Sequence, residues 1–153
     1  MKKMIYFDLD GTVYDLYNYP NWLEMLQDSR SPFFNLELLV DKKVLTKLIN
    51  KLNQKGIADF GVISWLPRQA SECFENVCAY DKAEKLESDF GTDLFVEAHF
   101  LKYGTPKSAV ITEPLTKNHI LIDDDIQVLE SWIRDGGTGI PAKNILKYLK
   151  SLL

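Results

Sequence analysis

Two groups of acidic residues stand where apolar runs of the chain end. Asp8 and Asp10 follow the run MIYF, and Gly11 then interrupts the extended pattern, while the run HILI leads into Asp123 and Asp124. Carboxylate and carbonyl oxygens are the preferred ligands of hard divalent cations such as Mg²⁺. Acids one residue apart at the end of a strand therefore indicate a metal site, although Asp and Gly are also common in ordinary turns.

Strands must position these acids. The run before Asp8 shows no polar alternation, which is typical of a strand buried on both faces at the centre of a parallel sheet. In such sheets ligands bind beyond the carboxyl ends of the strands. A second apolar run, GVIS, ends at Ser64, and Lys107 lies in the loop YGTPK after a third. We therefore expect an acid pair, a hydroxyl, a lysine and an acid cluster at one edge of the sheet.

Strands and helices alternate along the whole chain. The predicted strands are 4–7, 57–64, a short one at about 94–97, 119–122 and an edge strand at 138–140. The predicted helices are 21–27, 41–56, 68–89 with an interruption near Tyr80, 126–133 and 144–152. This alternation predicts an α/β fold, a Rossmann-like doubly wound parallel sheet with right-handed crossovers.

Composition, apolar runs, net charge and cysteine spacing indicate the general class of protein. A hydrophobic content of 46% and a charged content of 26% are ordinary for a soluble globular domain. No apolar run approaches the roughly 18 residues that span a bilayer, and the start MKKMIYFDLD does not resemble a signal peptide. The formal net charge of −4 argues against an extended nucleic-acid surface. Cys73 and Cys78 match no zinc or redox motif, so we expect reduced thiols in a cytoplasmic protein.

The polar residues at the strand ends resemble the haloacid dehalogenase (HAD) superfamily of phosphotransferases. Its first motif, a strand ending in DxDGT, is matched by Asp8–Thr12 without a departure, and its fourth, an apolar strand ending in paired acids, by HILIDDD. Ser64 matches the second motif and Lys107 the third, with Lys102 as an alternative that we expect to be solvated. The first and fourth motifs are specific together, and the resemblance covers nearly the whole chain.

The resemblance implies a Mg²⁺-dependent phosphomonoesterase that forms an aspartyl-phosphate. Asp8 would attack phosphorus and would also bind the metal. Asp10 would act as general acid and base and give its backbone carbonyl to the metal. Ser64 and Lys107 would hold the phosphoryl oxygens, together with backbone amides near Gly11.

Two acids of the cluster compete for the metal. Strand alternation continuing from Ile120 puts the side chains of Asp123 and Asp124 on opposite sides. The resemblance favours Asp124 as the ligand, with Asp123 orienting neighbours such as Lys107. Asp125 is expected to begin the following helix, where its charge suits the helix dipole.

Residues 13–40 correspond to the position of a cap in this family. They are rich in aromatics and hold at most one short helix, so we expect a single domain, 1–153, with a minimal cap at about 13–40 and an open site, or one completed in a homo-oligomer. The chain resembles small 5′(3′)-deoxyribonucleotidase-like members and compact bacterial and phage members. It departs from the nucleotidases at Ser64-Trp65, where they generally carry Thr-Ser.

The expected substrate is a nucleotide or another small phosphorylated metabolite. Gly11, Thr12 and Trp65 are the predicted substrate contacts, and the Trp65 ring could stack on a base. Two alternatives stay open. One is a protein that sequesters a nucleotide without turnover, and the other is a phosphatase acting on nucleic-acid ends.

Overall fold

The computed structural model describes residues 1–153 and contains one parallel sheet of five strands in the order β3-β2-β1-β4-β5. The strands are β1 (Lys3–Phe7), β2 (Ala58–Trp65), β3 (Glu97–Leu101), β4 (His119–Asp123) and β5 (Thr138–Pro141). The helices are α1 (Trp22–Gln27), α2 (Lys42–Gln54), α3 (Glu72–Phe90), α4 (Ile126–Arg134) and α5 (Ile145–Ser151). Short 3₁₀ helices cover Phe33–Asn35, Lys107–Val110 and Ala142–Asn144. The predicted α/β doubly wound fold is confirmed.

β1 lies at the centre because both of its faces are apolar. Ile5 and Phe7 are fully buried on one face, and Tyr6 packs against Trp132 on the other. β2 and β3 extend the sheet on one side of β1, and β4 and β5 extend it on the other. The direction of winding therefore changes between β1 and β4, which is where doubly wound sheets bind their ligands.

Two helices begin at the aspartates that the sequence indicated. The side chain of Asp41 accepts a hydrogen bond from the Val44 amide at 3.0 Å and so caps α2. Asp125 caps α4 in the same way through the amides of Gln127 and Val128. The prediction that Asp125 begins a helix is therefore confirmed. α2 buries the stripe Leu45, Leu48, Ile49 and Leu52 against the sheet.

The structure corrects the predicted bounds of the third strand and of the helix between β2 and β3. β3 begins at Glu97 rather than at Leu94, because its residues 97–101 pair with 61–65 of β2 while Leu94 packs against the core. α3 begins at Glu72 rather than at Arg68, and it continues through Tyr80 without the expected interruption. The stretch contains no Gly or Pro that would break a helix. No helix is both long and apolar enough to cross a membrane.

Candidate active site

Asp8 occupies the first position beyond β1, at the centre of the sheet edge. Its amide donates to the Ile122 carbonyl at 2.9 Å, which ties it to β4. Its two carboxylate oxygens have different donors: Lys107 Nζ lies 2.8 Å from Oδ1, and Thr12 Oγ1 lies 3.0 Å from Oδ2. The carboxylate is therefore held in one orientation at the base of a cleft.

The end of β4 brings two further acids to Asp8. Oxygens of Asp8, Asp123 and Asp124 all lie within 4.8 Å of one another. Asp123 is buried, and both of its oxygens are engaged, since Oδ2 pairs with Lys107 Nζ at 2.7 Å and Oδ1 accepts from the Asp125 amide at 3.0 Å. Asp124 is exposed and pairs with no cation, and it accepts a 3.4 Å hydrogen bond from Thr12. The two acids thus have different surroundings.

Gly11 makes the turn that joins these groups. Its φ of +81° favours glycine, and a Cβ at this position would overlap the Asp124 carboxylate and lie 2.7 Å from Tyr17 Cε2. The turn also uses the Gly11 and Thr12 amides, which donate to the carbonyls of Tyr14 and Leu9. These two amides are therefore engaged inside the turn, and a role in phosphate binding is left to other amides near Gly11.

The two residues before Gly11 have backbone amides without a hydrogen-bond acceptor. The N–H groups of Leu9 and Asp10 donate to no acceptor in the protein, although Leu9 is only 1% exposed. Unpaired buried amides are rare in folded proteins, because each costs free energy comparable to a lost hydrogen bond. The protein therefore leaves two amide donors free directly after Asp8, one in the buried Leu9 and one in the partly buried Asp10.

Asp10 pairs with a residue that the sequence analysis missed. Lys82, from α3, donates to Asp10 Oδ2 at 2.8 Å, to Ser64 Oγ at 2.9 Å and to the Trp65 carbonyl at 2.7 Å. Ser64 is fully buried and does not line the cleft, so its hydroxyl faces Lys82 rather than open space. The phosphate-binding role of Ser64 stays a prediction.

A spacing in the sequence could have indicated Lys82. Phe74, Cys78, Lys82 and Leu86 recur at steps of four residues, and all four are buried on one face of α3. A lysine within an apolar stripe must find an acceptor inside the protein, because an unpaired buried ammonium is very costly.

The two candidate lysines of the third motif lie in different surroundings. Lys107 is 5% exposed, and its ammonium joins Asp8 to Asp123. The Lys102 side chain is 74% exposed and pairs with Glu75 at 3.1 Å. The structure therefore brings Lys107, and not Lys102, to the acids.

Desolvation and mutual repulsion raise the pKa values of three acids of the site, Asp10, Asp123 and Asp124. Desolvation on its protein-facing side, together with the Asp8 carboxylate, raises the pKa of Asp124 to about 8. The same two causes raise the pKa of Asp123, and burial raises the pKa of Asp10 although Lys82 opposes this. Burial lowers the pKa of Lys107, but the Asp8 and Asp123 carboxylates outweigh it and hold that pKa above its ordinary value.

The charges of the site leave room for one divalent cation. Four carboxylates, those of Asp8, Asp10, Asp123 and Asp124, face only two ammonium groups, those of Lys82 and Lys107, so the formal balance is −2. One Mg²⁺ would neutralise this excess, and oxygen donors are what it prefers. The donor set therefore fits the metal.

A cavity of about 470 Å³ opens above the acids. Asp8, Asp10, Lys107 and residues 123–125 form its polar part. Its walls come from the 13–40 segment and from the loops after β2 and β3: Leu16, Tyr17, Trp22, Leu23, Leu26, Gln27, Phe33, Trp65, Leu66, Pro67, Arg68, Gln69 and Tyr103. The aromatic rings form two close pairs, Tyr17 with Trp22 at 5.1 Å and Trp65 with Tyr103 at 4.9 Å between centroids.

Six of the nine predicted site residues line this cavity, whereas Gly11, Thr12 and Ser64 do not. Side-chain bonds join Asp8, Thr12, Lys107, Asp123 and Asp124 in one cluster, with Gly11 in its turn. Asp10 and Trp65 line the cavity beside it, and Ser64 lies behind Asp10.

Comparisons with known proteins show that the fold of this chain is similar to that of several solved structures. No family model and no curated protein matches the chain. A HAD-superfamily hydrolase from Ehrlichia chaffeensis superposes with a TM-score of 0.58 at 15% identity, covering 99% of this chain and 98% of that one. The D,D-heptose 1,7-bisphosphate phosphatase from B. bronchiseptica, solved with magnesium and phosphate, gives 0.56 at 15% identity over 91% of this chain and 79% of that one. An uncharacterized protein from Corynebacterium glutamicum gives 0.51 at 11% identity, covering 99% and 96%.

Proposed function

We propose that this chain, which has the fold of the haloacid dehalogenase superfamily, is a Mg²⁺-dependent phosphomonoester hydrolase that forms an aspartyl-phosphate on Asp8. The observation that carries the proposal is the surroundings of Asp8: a buried lysine, two unbonded amides and acids in excess by two charges. A similar fold in a phosphatase solved with magnesium and phosphate supports the class of substrate and the metal.

Asp8, Asp124 and the backbone carbonyl of Asp10 are the groups that would hold the metal. Asp124 suits this role because its carboxylate pairs with no lysine, whereas both oxygens of Asp123 are already engaged. When bound, Mg²⁺ would offset the negative charge of the site and polarise the phosphoryl group. Asp123 then serves to orient Lys107.

The phosphoryl oxygens would be held by donors that the protein leaves free. An ammonium has three N–H donors, and Lys107 uses two of them on Asp8 and Asp123. Its third donor, with the amides of Leu9 and Asp10, can bind the transferred group and stabilise its charge in the transition state.

The chemistry then needs two proton transfers through one residue. A carboxylate oxygen of Asp8 forms a bond to phosphorus while the bond to the leaving oxygen breaks, and the carboxyl of Asp10 gives that oxygen its proton. A water next attacks the aspartyl-phosphate and returns a proton to Asp10. Inorganic phosphate leaves, and Asp8 is restored.

The aromatic walls favour a nucleotide as the substrate. The Trp65 indole is fixed by a 2.8 Å bond from Nε1 to the Thr105 carbonyl, and it packs against Tyr103 at the cavity wall. A base that stacks on such a ring gains about 1–3 kcal/mol. Tyr17 and Trp22 offer a second aromatic surface in the same cavity.

Phosphate release from a panel of nucleoside monophosphates and sugar phosphates tests the function. We expect phosphate release in the presence of Mg²⁺ and none in the presence of EDTA. The substrate that is hydrolysed fastest would identify the class of substrate. Tight nucleotide binding without release under any condition would contradict the hydrolase and support sequestration. A preference for phosphorylated oligonucleotide ends, with affinity that falls steeply with salt, would support the nucleic-acid alternative.

Replacement of Trp65 by Leu should remove the preference for a base. The matched substrates are a nucleoside 5′-monophosphate and ribose 5-phosphate, which differ in the base alone. We expect the ratio of their kcat/KM values to fall by about tenfold in Trp65→Leu, since roughly one stacking contact is lost. An unchanged ratio would contradict base stacking. Lys107 Nζ lies 5.7 Å from the Trp65 ring, but any effect of the change on Lys107 cancels in the ratio because both substrates need that lysine.

Binding of Mg²⁺ should depend on pH. Because the pKa of Asp124 is raised to about 8, the metal-free protein carries a proton there at neutral pH, and Mg²⁺ must displace it. We expect the affinity to weaken from about pH 8 to about pH 6, by up to about tenfold per pH unit. The same raised pKa means that the metal-free protein loses stability as pH rises toward 8.

Thermal unfolding with and without Mg²⁺ at the two ends of this pH range measures the effect. The increase in midpoint caused by Mg²⁺ should be larger at the higher pH. In Asp124→Asn the pH dependence of this increase should be reduced, and an Asp124→Asn protein that behaves like the wild type would exclude Asp124 as the ligand.

A further inference from the structure

The ammonium of Lys82 is buried beneath the acids and has no free donor. Lys82 is 2% exposed, and its three contacts, to Asp10, Ser64 and the Trp65 carbonyl, lie between 2.7 and 2.9 Å. An ammonium has three N–H donors, so every donor is occupied. Lys82 therefore differs from Lys107, which keeps one donor for a ligand.

Lys82 joins parts of the chain that are far apart in sequence. α3 supplies the lysine, the turn after β1 supplies Asp10, and the end of β2 supplies the other two acceptors. The ring of Phe33, from the 13–40 segment, lies 4.4 Å from Nζ and faces the charge. The ammonium is thus held from four directions and has little freedom to move.

The two carboxylate oxygens of Asp10 have different surroundings. Oδ2 accepts from Lys82 at 2.8 Å, and no other side-chain hydrogen bond reaches the Asp10 carboxyl. Asp10 also lines the cavity above Asp8. One oxygen is therefore anchored inside the protein, and the other is left for a group in the cavity.

We infer that Lys82 is a positioning residue that holds the Asp10 carboxyl in the orientation from which it protonates the leaving oxygen of the substrate. The inference rests on the proposed phosphatase function and adds a residue to it. In this step the bond from phosphorus to the leaving oxygen breaks, the Asp10 proton moves to that oxygen, and Asp10 becomes a carboxylate beside the Lys82 ammonium. Loss of the anchor would leave the carboxyl free to rotate away.

Two phosphate esters separate this role from a structural one. An alkyl phosphate has a poor leaving group that needs the proton, whereas 4-nitrophenyl phosphate releases a stable anion that needs little help. The value of kcat/KM reports the steps up to transfer to Asp8 and is independent of the later water step. Lys82→Met should lower kcat/KM by about 100-fold on the alkyl ester but by less than about fivefold on the nitrophenyl ester.

Lys85→Met provides the matched control. Lys85 lies on the same helix but pairs with Asp89 instead of the site, so both esters should be hydrolysed as by the wild type. Lys82→Arg keeps the charge and the donors and should recover part of the loss on the alkyl ester. It also tests the role should Lys82→Met fail to fold.

Asp10→Asn completes the test. It should show the same selective loss, and adding Lys82→Met to it should cause no further selective loss, because both changes remove one proton transfer. Equal losses on the two esters in the Lys82 variants would overturn the inference and leave the phosphatase standing. A wild-type protein inactive on both esters would overturn the proposed function, and the inference with it.

Discussion

Asp8→Asn is expected to abolish phosphate release, with a fall in kcat of about 10⁴-fold or more. The amide cannot form the covalent bond to phosphorus, yet it has almost the shape of the carboxylate: its oxygen can still accept from Lys107, and its NH₂ can donate to the Thr12 hydroxyl. The metal-free variant should unfold at a temperature close to that of the wild type, because the relieved repulsion with Asp123 and Asp124 offsets the lost attraction to Lys107, which keeps Asp123 as a partner. Loss of activity without loss of stability is the expected signature.

Phosphate release and thermal unfolding of the same samples check this result. Rapid acid quenching should trap a covalent phosphate on the wild type and none on Asp8→Asn. Asp93→Asn, a change at an exposed acid away from the cavity, is the matched control and should behave like the wild type. Substantial turnover by Asp8→Asn would mean that another group attacks phosphorus.

Lys107→Met is expected to cost both activity and stability. Its ammonium is the cation that joins Asp8 to Asp123, at 2.8 and 2.7 Å, and it is almost fully buried. Removing one partner of a buried ion pair typically costs about 3–5 kcal/mol, because the remaining charge is left without compensation. Urea unfolding near neutral pH should show a loss of that order, and kcat should fall by about 10²–10³-fold since a phosphate donor is also lost.

Lys102→Met is the control that the chain itself offers. Its side chain is 74% exposed, although its partner Glu75 is buried, so the loss of stability should be smaller than in Lys107→Met and the activity should be unchanged. The pair of variants thus decides which lysine serves the third motif. A larger loss of activity in Lys102→Met than in Lys107→Met would contradict the assignment to Lys107.

The order of elements and the position of the site could be predicted from the sequence because both depend on local signals. The uninterrupted apolar run before Asp8 is what places β1 at the centre of the sheet, and Asp41 and Asp125 cap the helices that follow them. Gly11 is required by a backbone conformation that other residues rarely adopt. Parallel strands end at the same edge, so acids that follow two of them must meet.

The tertiary structure decided which acid of the site pairs with which lysine. Lys82 meets Asp10 across 72 positions of the chain, and Lys107 meets Asp8 across 99. Such contacts depend on the packing of α3 and of the loop after β3 against the sheet, which no local pattern specifies. The same packing gives Asp123 a lysine and leaves Asp124 without one.

The burial of Ser64 and the start of β3 at Glu97 have the same origin. Local composition determined which residues end the strands and what chemistry they offer. Long-range packing determined which side chains pair, because the cost of leaving a buried charge without a partner is settled only when distant segments meet.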